Sequence, residues 1–499
     1  MPAASQPSEN YPRASKIPSS ESHSARETPP PRADIPFILT TVGQRSDPAT
    51  RKLIRSHVML GKNKGRPRPS KRRRPPSWDT VPPWDSTENV TVIHEQIAVI
   101  PRRVGSDWSF VQLADEIEPA ALADIIKFSS VSKQVTVPLE ACIVFHKVDG
   151  RMVQPLALDA AYLNAAALGT RIYIGLMLGS EGSCDLICGS PHYSKALRLL
   201  RERLSSGLEA EQTSDSTITV VIALALHARI SKDYEAARHH IEGIKKIADL
   251  RGGIAEISSR PMLAMEIFRC DIGIALETDK RPVFFANVGG VESFVPFLSD
   301  MPITEPQGSH NSRGGDTPEI FLDNIDQDLA AVWKATRRFC VLVSRAATSR
   351  RKLPEGNLLQ ALASIMYRLL HRSYTGRSFN ETLRLALLAF CSRIFLQLPV
   401  IRIEDTHLSN AYRECLLEVD TAQAATPRLM LWLQMIGIVA VFGSTDRAWL
   451  SPLLRSSFER CGIGSWRELA DVMNELVWIG LVFDRPGRDV LNTLLLDES

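Results

Sequence analysis

The stretch TITVVIALALHARISKDYEAARHHIEGIKKIADLRGG, residues 217–253, has the clearest helical pattern in the chain. Its first half is an almost continuous apolar run, and a polar break follows at residues 231–233. In the second half the apolar residues recur at intervals of four, three and four, which places them on one helical face: Ala237, Ile241, Ile244 and Ala248. Gly252 and Gly253 then supply a stop that tolerates positive φ. The stretch therefore predicts an αα-hairpin.

Helical spacing continues on both sides of this hairpin. Two helices are expected before residue 130, with Glu118 and Pro119 as the break between them. Further helical patterns cover 139–178, 193–208, 326–347, 357–371, 380–398, 427–442 and 466–480. Residues 286–320 look like a loop, and no alternating strand series or repeat is evident. We predict an all-α domain of stacked helical hairpins over 107–484, followed by a C-terminal tail at 485–499.

The positive charge of the chain is concentrated at its N-terminal end. Residues 1–85 hold 16 Lys and Arg against 7 Asp and Glu, whereas the remaining residues hold 43 against 49. Residues 1–36 are rich in Ser and Pro and have almost no large apolar side chain, so we expect them to be disordered. Residues 37–85 form a basic leader with a short amphipathic helix, and 86–106 are a linker.

The basic leader contains the pentapeptide KGRPR, formed by Lys64, Gly65, Arg66, Pro67 and Arg68. It resembles the core of an AT-hook. In such a core glycine lets the backbone approach DNA closely, proline keeps the path extended, and the arginines lie along the narrow minor groove of A·T tracts. The motif makes A·T-rich DNA a candidate partner.

A second basic run follows at once, formed by Lys71, Arg72, Arg73 and Arg74. It is typical of a nuclear localisation signal read by an import receptor, and it could also lie on phosphates beside the AT-hook core. A plain solvated charge run is the third interpretation, and the three stay open. We expect a nuclear protein.

Other classes of function lack their sequence signals. The longest apolar run, 429–442, falls short of the ~20 residues that cross a bilayer, so no membrane partner is expected. The eight cysteines are scattered, which indicates reduced thiols, and Cys184, Cys188 and His192 lack a second ligand pair for a metal. No nucleotide-binding or hydrolase motif occurs. We expect no enzyme activity, no cofactor and no metal.

Several short matches occur in an order that resembles the fungal-specific transcription factor domain, a helical regulatory region. They are ARHHIEGI (237–244) with LRGG (250–253), FRCD (268–271) with RPVF (281–284), LRLA (383–386), LWLQMIG (431–437), Trp449, and Ser465 with Trp466. Residues 51–59 also resemble a stretch that precedes this domain, so the resemblance covers about 37–484.

This resemblance implies a nuclear transcriptional regulator whose helical body senses a ligand or binds other regulators. The chain departs from the family pattern because residues 1–141 contain no cysteine, so the usual six-cysteine zinc cluster is missing there. Any DNA contact is then expected from the leader. The alternative is a nuclear interaction scaffold, or co-regulator, without direct DNA binding.

Overall fold

The computed structural model describes residues 112–136, 139–144, 153–177, 190–285, 320–349, 351–396, 406–419 and 426–496. Within these ranges the protein is all-α and contains seventeen α-helices. In chain order they are α1 (Pro119–Thr136), α2 (Val153–Leu158), α3 (Ala160–Met177), α4 (Pro191–Leu204), α5 (Glu209–Gln212), α6 (Asp215–Ile230), α7 (Tyr234–Leu250), α8 (Ile254–Ser258), α9 (Pro261–Thr278), α10 (Gln327–Ser349), α11 (Glu355–His371), α12 (Phe379–Phe395), α13 (Thr406–Glu418), α14 (Pro427–Ile436), α15 (Arg447–Cys461), α16 (Trp466–Glu475) and α17 (Gly480–Leu496). Two two-residue strands, β1 (Ile143–Val144) and β2 (Leu353–Pro354), pair in parallel.

The predicted αα-hairpin is confirmed as α6 and α7. Ser214 caps α6 by accepting a hydrogen bond from the Thr217 amide at 3.1 Å, and Asp233 caps α7 through the Ala236 amide at 3.1 Å. The four residues of the predicted stripe in α7 are all buried. Gly252 and Gly253 adopt φ of 98° and 101°, as a glycine stop allows.

Arg251 closes this hairpin at its open end. Its guanidinium donates to Asp215 Oδ1 at 2.8 Å, in the first turn of α6, and to Glu256 Oε2 at 3.0 Å. Arg260 contacts the same two carboxylates, at 2.7 Å to Asp215 Oδ2 and 2.6 Å to Glu256 Oε1. The cluster of four charges fixes the start of α6 against the end of α7.

Most of the helices stack in sequence around one large hydrophobic core, and α1, α2 and part of α3 share a second, smaller cluster formed by Ile125, Leu156, Leu163 and Ala167. α1 packs on α3, α3 on α4 and α6, α7 on α6 and α9, and α9 on α11. α11 also contacts α10 and α12, α12 contacts α13, and α14 packs against α15. Three tryptophans are among its largest fully buried side chains: Trp333, Trp432 and Trp478. This stacking agrees with the predicted bundle of helical hairpins.

The N-terminal side of the body differs from the prediction. Residues 112–118 are not helical, and a single helix, α1, begins at Pro119 within the described residues before 130. Pro119 starts a helix because its missing N–H costs nothing in the first turn. The stretch of helical spacing at 139–178 holds more than one element. Strand β1 lies within it, and Asp159 separates α2 from α3 by accepting a hydrogen bond from the Tyr162 amide at 3.0 Å.

Two differences occur near the C-terminal end. The predicted helix 427–442 is α-helical only as far as Ile436, and a π-helical turn covers Gly437–Val441. The boundary placed at 484 is crossed by α17, which reaches Leu496 in spite of Pro486. Buried Val490, Leu491 and Leu494 pack this helix on the core, so the tail begins later than predicted.

Several predictions fall outside the described ranges: the disordered residues 1–36, the basic leader 37–85, the linker 86–106 and most of the loop 286–320. Within the ranges, six cysteines are free thiols, of which five are buried and Cys461 is half-buried. Among the described helices, none combines the length and the apolar character that a membrane crossing needs.

Candidate functional site

The residues predicted to contact DNA, Lys64 to Arg68, and the basic run Lys71 to Arg74 lie outside the described residues, as do Cys184 and Cys188. The structure therefore places none of them. His192 is described, and it belongs to a polar cluster that the sequence analysis did not single out.

This polar cluster consists of Asp115, Asn164, His192 and Lys195 and joins three parts of the chain. Asp115 lies at a bend in the non-helical segment before α1, Asn164 lies on α3, and the other two lie on α4. α4 begins with Pro191 directly after the extended residue Ser190, which sets His192 in the first helical turn. Asp115 also lines a shallow depression formed by residues 112–117.

The orientation of each group in the polar cluster follows from its hydrogen bonds. Asn164 Nδ2 donates to Asp115 Oδ2 at 2.8 Å and to the Ala160 carbonyl at 2.9 Å. Because both partners are acceptors, Asn164 Oδ1 must be the atom 2.9 Å from His192 Nδ1. His192 therefore donates from Nδ1, and in the neutral ring Nε2 carries the lone pair. Lys195 Nζ completes the cluster 2.7 Å from Asp115 Oδ2.

The surroundings of Asp115 and His192 shift the pKa values of both side chains downward. Burial raises the pKa of the Asp115 carboxyl, but hydrogen bonds from Lys195 and Asn164 outweigh it, and the pKa lies below its ordinary value. Burial lowers the pKa of His192, and the Arg171 charge acts in the same direction. The arrangement therefore favours an ionised Asp115 beside a neutral His192.

The polar cluster can hold a proton at His192 Nε2, but its clearest role is structural. It ties the segment before α1 to α3 and α4, and the Ala114 amide adds a hydrogen bond to the Leu156 carbonyl at 3.1 Å. No group of three His, Cys, Asp or Glu side chains suited to a metal ion was found among the described residues. The sequence did not reveal the cluster because Asn164 lies 28 positions from His192 and 49 positions from Asp115. An asparagine inside an alanine-rich helix was the one available signal.

Replacing His192 by Asn should change how stability depends on pH. The pKa of His192 in the folded protein lies below 6.5, so the unfolded chain takes up the proton first as the pH falls. His192 therefore contributes stability that is present above pH 6.5 and is lost as the pH falls through the folded pKa. We expect the free energy of unfolding, measured by urea denaturation, to fall less between neutral and mildly acidic pH in His192→Asn than in the wild type. His239→Asn, at an exposed position, is the control, and equal pH dependence in all three proteins would refute the assignment.

A second polar cluster lies deep in the core, around Asp271 on α9. Its Oδ1 accepts the Val283 amide at 2.8 Å, and its Oδ2 accepts the Phe284 amide and the Tyr367 hydroxyl, each at 3.0 Å. The segments FRCD (268–271) and RPVF (281–284) are thus in direct contact. The Arg238 guanidinium on α7 adds a bond to the Arg281 carbonyl at 3.0 Å. This cluster fixes the chain that leaves α9.

Comparison with known proteins found no matching family model, no similar curated protein and no similar solved structure.

Proposed function

We propose that the protein is a nuclear transcriptional regulator of the fungal-specific transcription factor class, without enzymatic activity. In this proposal Lys64 to Arg68 contact A·T-rich DNA and Lys71 to Arg74 bind a nuclear import receptor. The observation that carries it is the charge division of the chain, in which a strongly basic leader with a KGRPR core precedes a weakly acidic body. A cationic tail of this kind gains affinity for DNA by releasing counterions from phosphates.

The helical body has a different part in this proposal, namely to bind partner regulators or a small ligand. Support comes from the all-α architecture and from the order of the short matches to the family. Two of those matches meet at Asp271, and a third, LRGG, supplies the arginine that closes the α6–α7 hairpin. The quoted residues therefore lie at contacts that hold neighbouring elements together.

The test is fluorescence anisotropy of the full chain on A·T-rich and G·C-rich duplexes across a salt series. We expect the wild type to prefer the A·T duplex, and Arg66→Ala/Arg68→Ala to lose that preference because its arginines no longer enter the minor groove. Arg13→Ala/Arg26→Ala removes two arginines from residues 1–36, which precede the leader, and should keep the preference.

Two results would count against this assignment. Binding that ignores sequence and both substitutions would show that the motif does not read DNA. No binding at moderate salt would favour the alternative, an interaction scaffold whose leader serves import alone.

A further inference from the structure

Exposed leucines gather at the end of the body where α6 begins. Among the described residues eight large apolar side chains are exposed, and four of these lie here. They are Leu158, Leu204, Leu208 and Leu250, whose exposed fractions are 74%, 46%, 56% and 68%. Single apolar residues are ordinary on a protein surface, whereas several at one place indicate an interface. We call these four side chains the leucine patch.

The first two leucines of the patch are held near each other by the residues beside them. Leu158 is the last residue of α2, and Leu204 is the last residue of α4. Asp159, directly after Leu158, accepts a hydrogen bond from the Arg203 guanidinium at 2.5 Å. The same carboxylate accepts the Ser216 hydroxyl in the first turn of α6. The ends of α2 and α4 therefore meet at the start of α6.

The other two leucines reach the same place from α5 and α7. Leu208 lies directly before α5, and its carbonyl accepts the Gln212 amide at 3.0 Å. Leu250 is the last residue of α7. Arg251, which follows it, donates to the Thr213 carbonyl at 3.1 Å, two residues before α6 begins. All four leucines therefore belong to one end of the helical stack.

Unpaired charges of both signs lie beside the leucine patch. Arg201 is exposed in the last turn of α4, and Glu209 and Glu211 are exposed on α5. Within the part of the chain that the structure describes, none of these three side chains forms a hydrogen bond or an ion pair. The helix dipole accounts for a cation at the end of α4, but it does not account for two acids next to exposed leucines.

We propose that the leucine patch is the interface of a symmetric dimer, formed with a second copy of this chain. A two-fold axis brings the same surface of both copies together, so that surface must be complementary to itself. Leucines meet this condition because they pack on leucines. Arg201 of one copy then pairs with Glu209 or Glu211 of the other. The inference goes beyond the proposed function and uses no residue of the leader.

A second copy fits this surface better than a partner of one charge. A strongly basic partner would pair with Glu209 and Glu211 but would be repelled by Arg201, and a strongly acidic partner would meet the reverse problem. An apolar centre with a polar rim is also the usual anatomy of an interface. A standard interface covers about 800 Å² on each partner, so the four leucines supply its centre and the charged residues its rim.

The first experiment is sedimentation velocity of the full chain over a concentration series of about 1–100 μM, the range in which weak interfaces of this size associate. Glutamine replaces exposed leucines in the patch variant, Leu158→Gln/Leu208→Gln/Leu250→Gln. The matched control replaces exposed apolar residues on α10, α13 and α15, as Val341→Gln/Leu417→Gln/Leu453→Gln.

We expect the wild type and the control to form dimers, and the patch variant to dissociate at least about tenfold more readily because its apolar centre is lost. Circular dichroism checks that each variant is folded. Leu158→Gln alone changes the most exposed of the four leucines and should give a smaller loss in the same direction. It covers the case in which the triple variant fails to fold.

Charge reversal tests the two-fold arrangement itself. Arg201→Glu and, in a separate chain, Glu209→Arg/Glu211→Arg should each weaken self-association by at least about threefold, because like charges then meet across the axis. A mixture of the two chains, one of them fluorescently labelled, should form mixed dimers. In that pairing every contact between copies joins opposite charges.

A wild type that stays monomeric across the series overturns the inference in favour of a different partner for the patch. Equal association by the patch variant and the control overturns it as well. Species larger than a dimer, or a charge-reversed mixture that associates no better than its components, would contradict the two-fold arrangement. If the wild type dimerises through the patch but shows no A·T preference, the role of the leader fails and the inference stands.

Discussion

Asp271→Ala is expected to lower the free energy of unfolding by about 3–5 kcal/mol. The side chain is only 2% exposed and receives hydrogen bonds from two backbone amides and the Tyr367 hydroxyl. Its removal leaves these three donors without their shared acceptor in the core, and each unsatisfied buried donor costs about 1–3 kcal/mol. Urea denaturation monitored by circular dichroism measures the loss.

Tyr367→Phe is the matched control for that loss, because it removes one donor and leaves the Val283 and Phe284 amides bound. We expect a cost of about 1 kcal/mol. Since both residues belong to one network, the double variant should cost less than the sum of the single variants. Additive costs, or an Asp271→Ala loss no larger than that of Tyr367→Phe, would mean that the carboxylate does not organise these contacts.

Burial raises the pKa of the Asp271 carboxyl, against the hydrogen bonds from Val283, Phe284 and Tyr367. The pKa of Asp271 in the folded protein thus lies above its value in the unfolded chain, so protonation of this carboxyl adds to the free energy of unfolding. That contribution is fully present below the unfolded pKa and is lost as the pH rises through the folded pKa. The loss in free energy of unfolding caused by Asp271→Ala should consequently be larger at acidic than at neutral pH. Carboxyls elsewhere in the chain titrate in both proteins and cancel in the comparison.

Gly437→Ala should destabilise the protein by about 2–3 kcal/mol through overpacking. A Cβ at this position would lie 2.2 Å from Cε2 of Phe442, whose ring cannot easily move. Phe442 is 1% exposed and packs against Tyr412 and Trp449, with ring centroids 5.4 and 5.5 Å away. The π-helical turn that begins at Gly437 thus requires glycine at this position, because any other residue would place a Cβ against the Phe442 ring.

Gly243→Ala makes the same chemical change where no such neighbour exists, since nothing outside its own helix backbone lies within 4 Å of the added Cβ. It should stabilise α7 by about 0.5–1 kcal/mol, because alanine loses less conformational freedom in a helix than glycine. The midpoint temperature of thermal unfolding should therefore fall in Gly437→Ala and rise in Gly243→Ala. A Gly437→Ala protein as stable as the wild type would show that the ring of Phe442 yields.

The elements that the sequence predicts best are those with one apolar face. α7 has a regular apolar stripe, a capping Asp233 and a glycine stop, so local chemistry specifies it. α9 escaped prediction because it is buried on nearly all sides and shows no polar face to set a period. The π-helical turn after Ile436 depends on ring packing around Phe442, which no local pattern records.

The clusters of polar side chains depend on contacts between distant segments. Tyr367 reaches Asp271 across 96 positions, and Asn164 reaches Asp115 across 49. Such pairs cannot be chosen from a single sequence, since many polar residues could serve equally well. The predicted DNA-contact residues are a different case: KGRPR is recognised by local composition alone, and it lies outside the described part of the chain.

The closure of the α6–α7 hairpin has a consequence for how the body folds. Arg251 and Asp215 are 36 positions apart, whereas the pairing of β1 with β2 joins residues 210 positions apart. Bringing together nearby segments costs less chain entropy, so the hairpin can assemble before the long-range pairings exist. We expect its amides to gain hydrogen-exchange protection early in refolding, and the hairpin then provides the surface on which α3 and α9 condense.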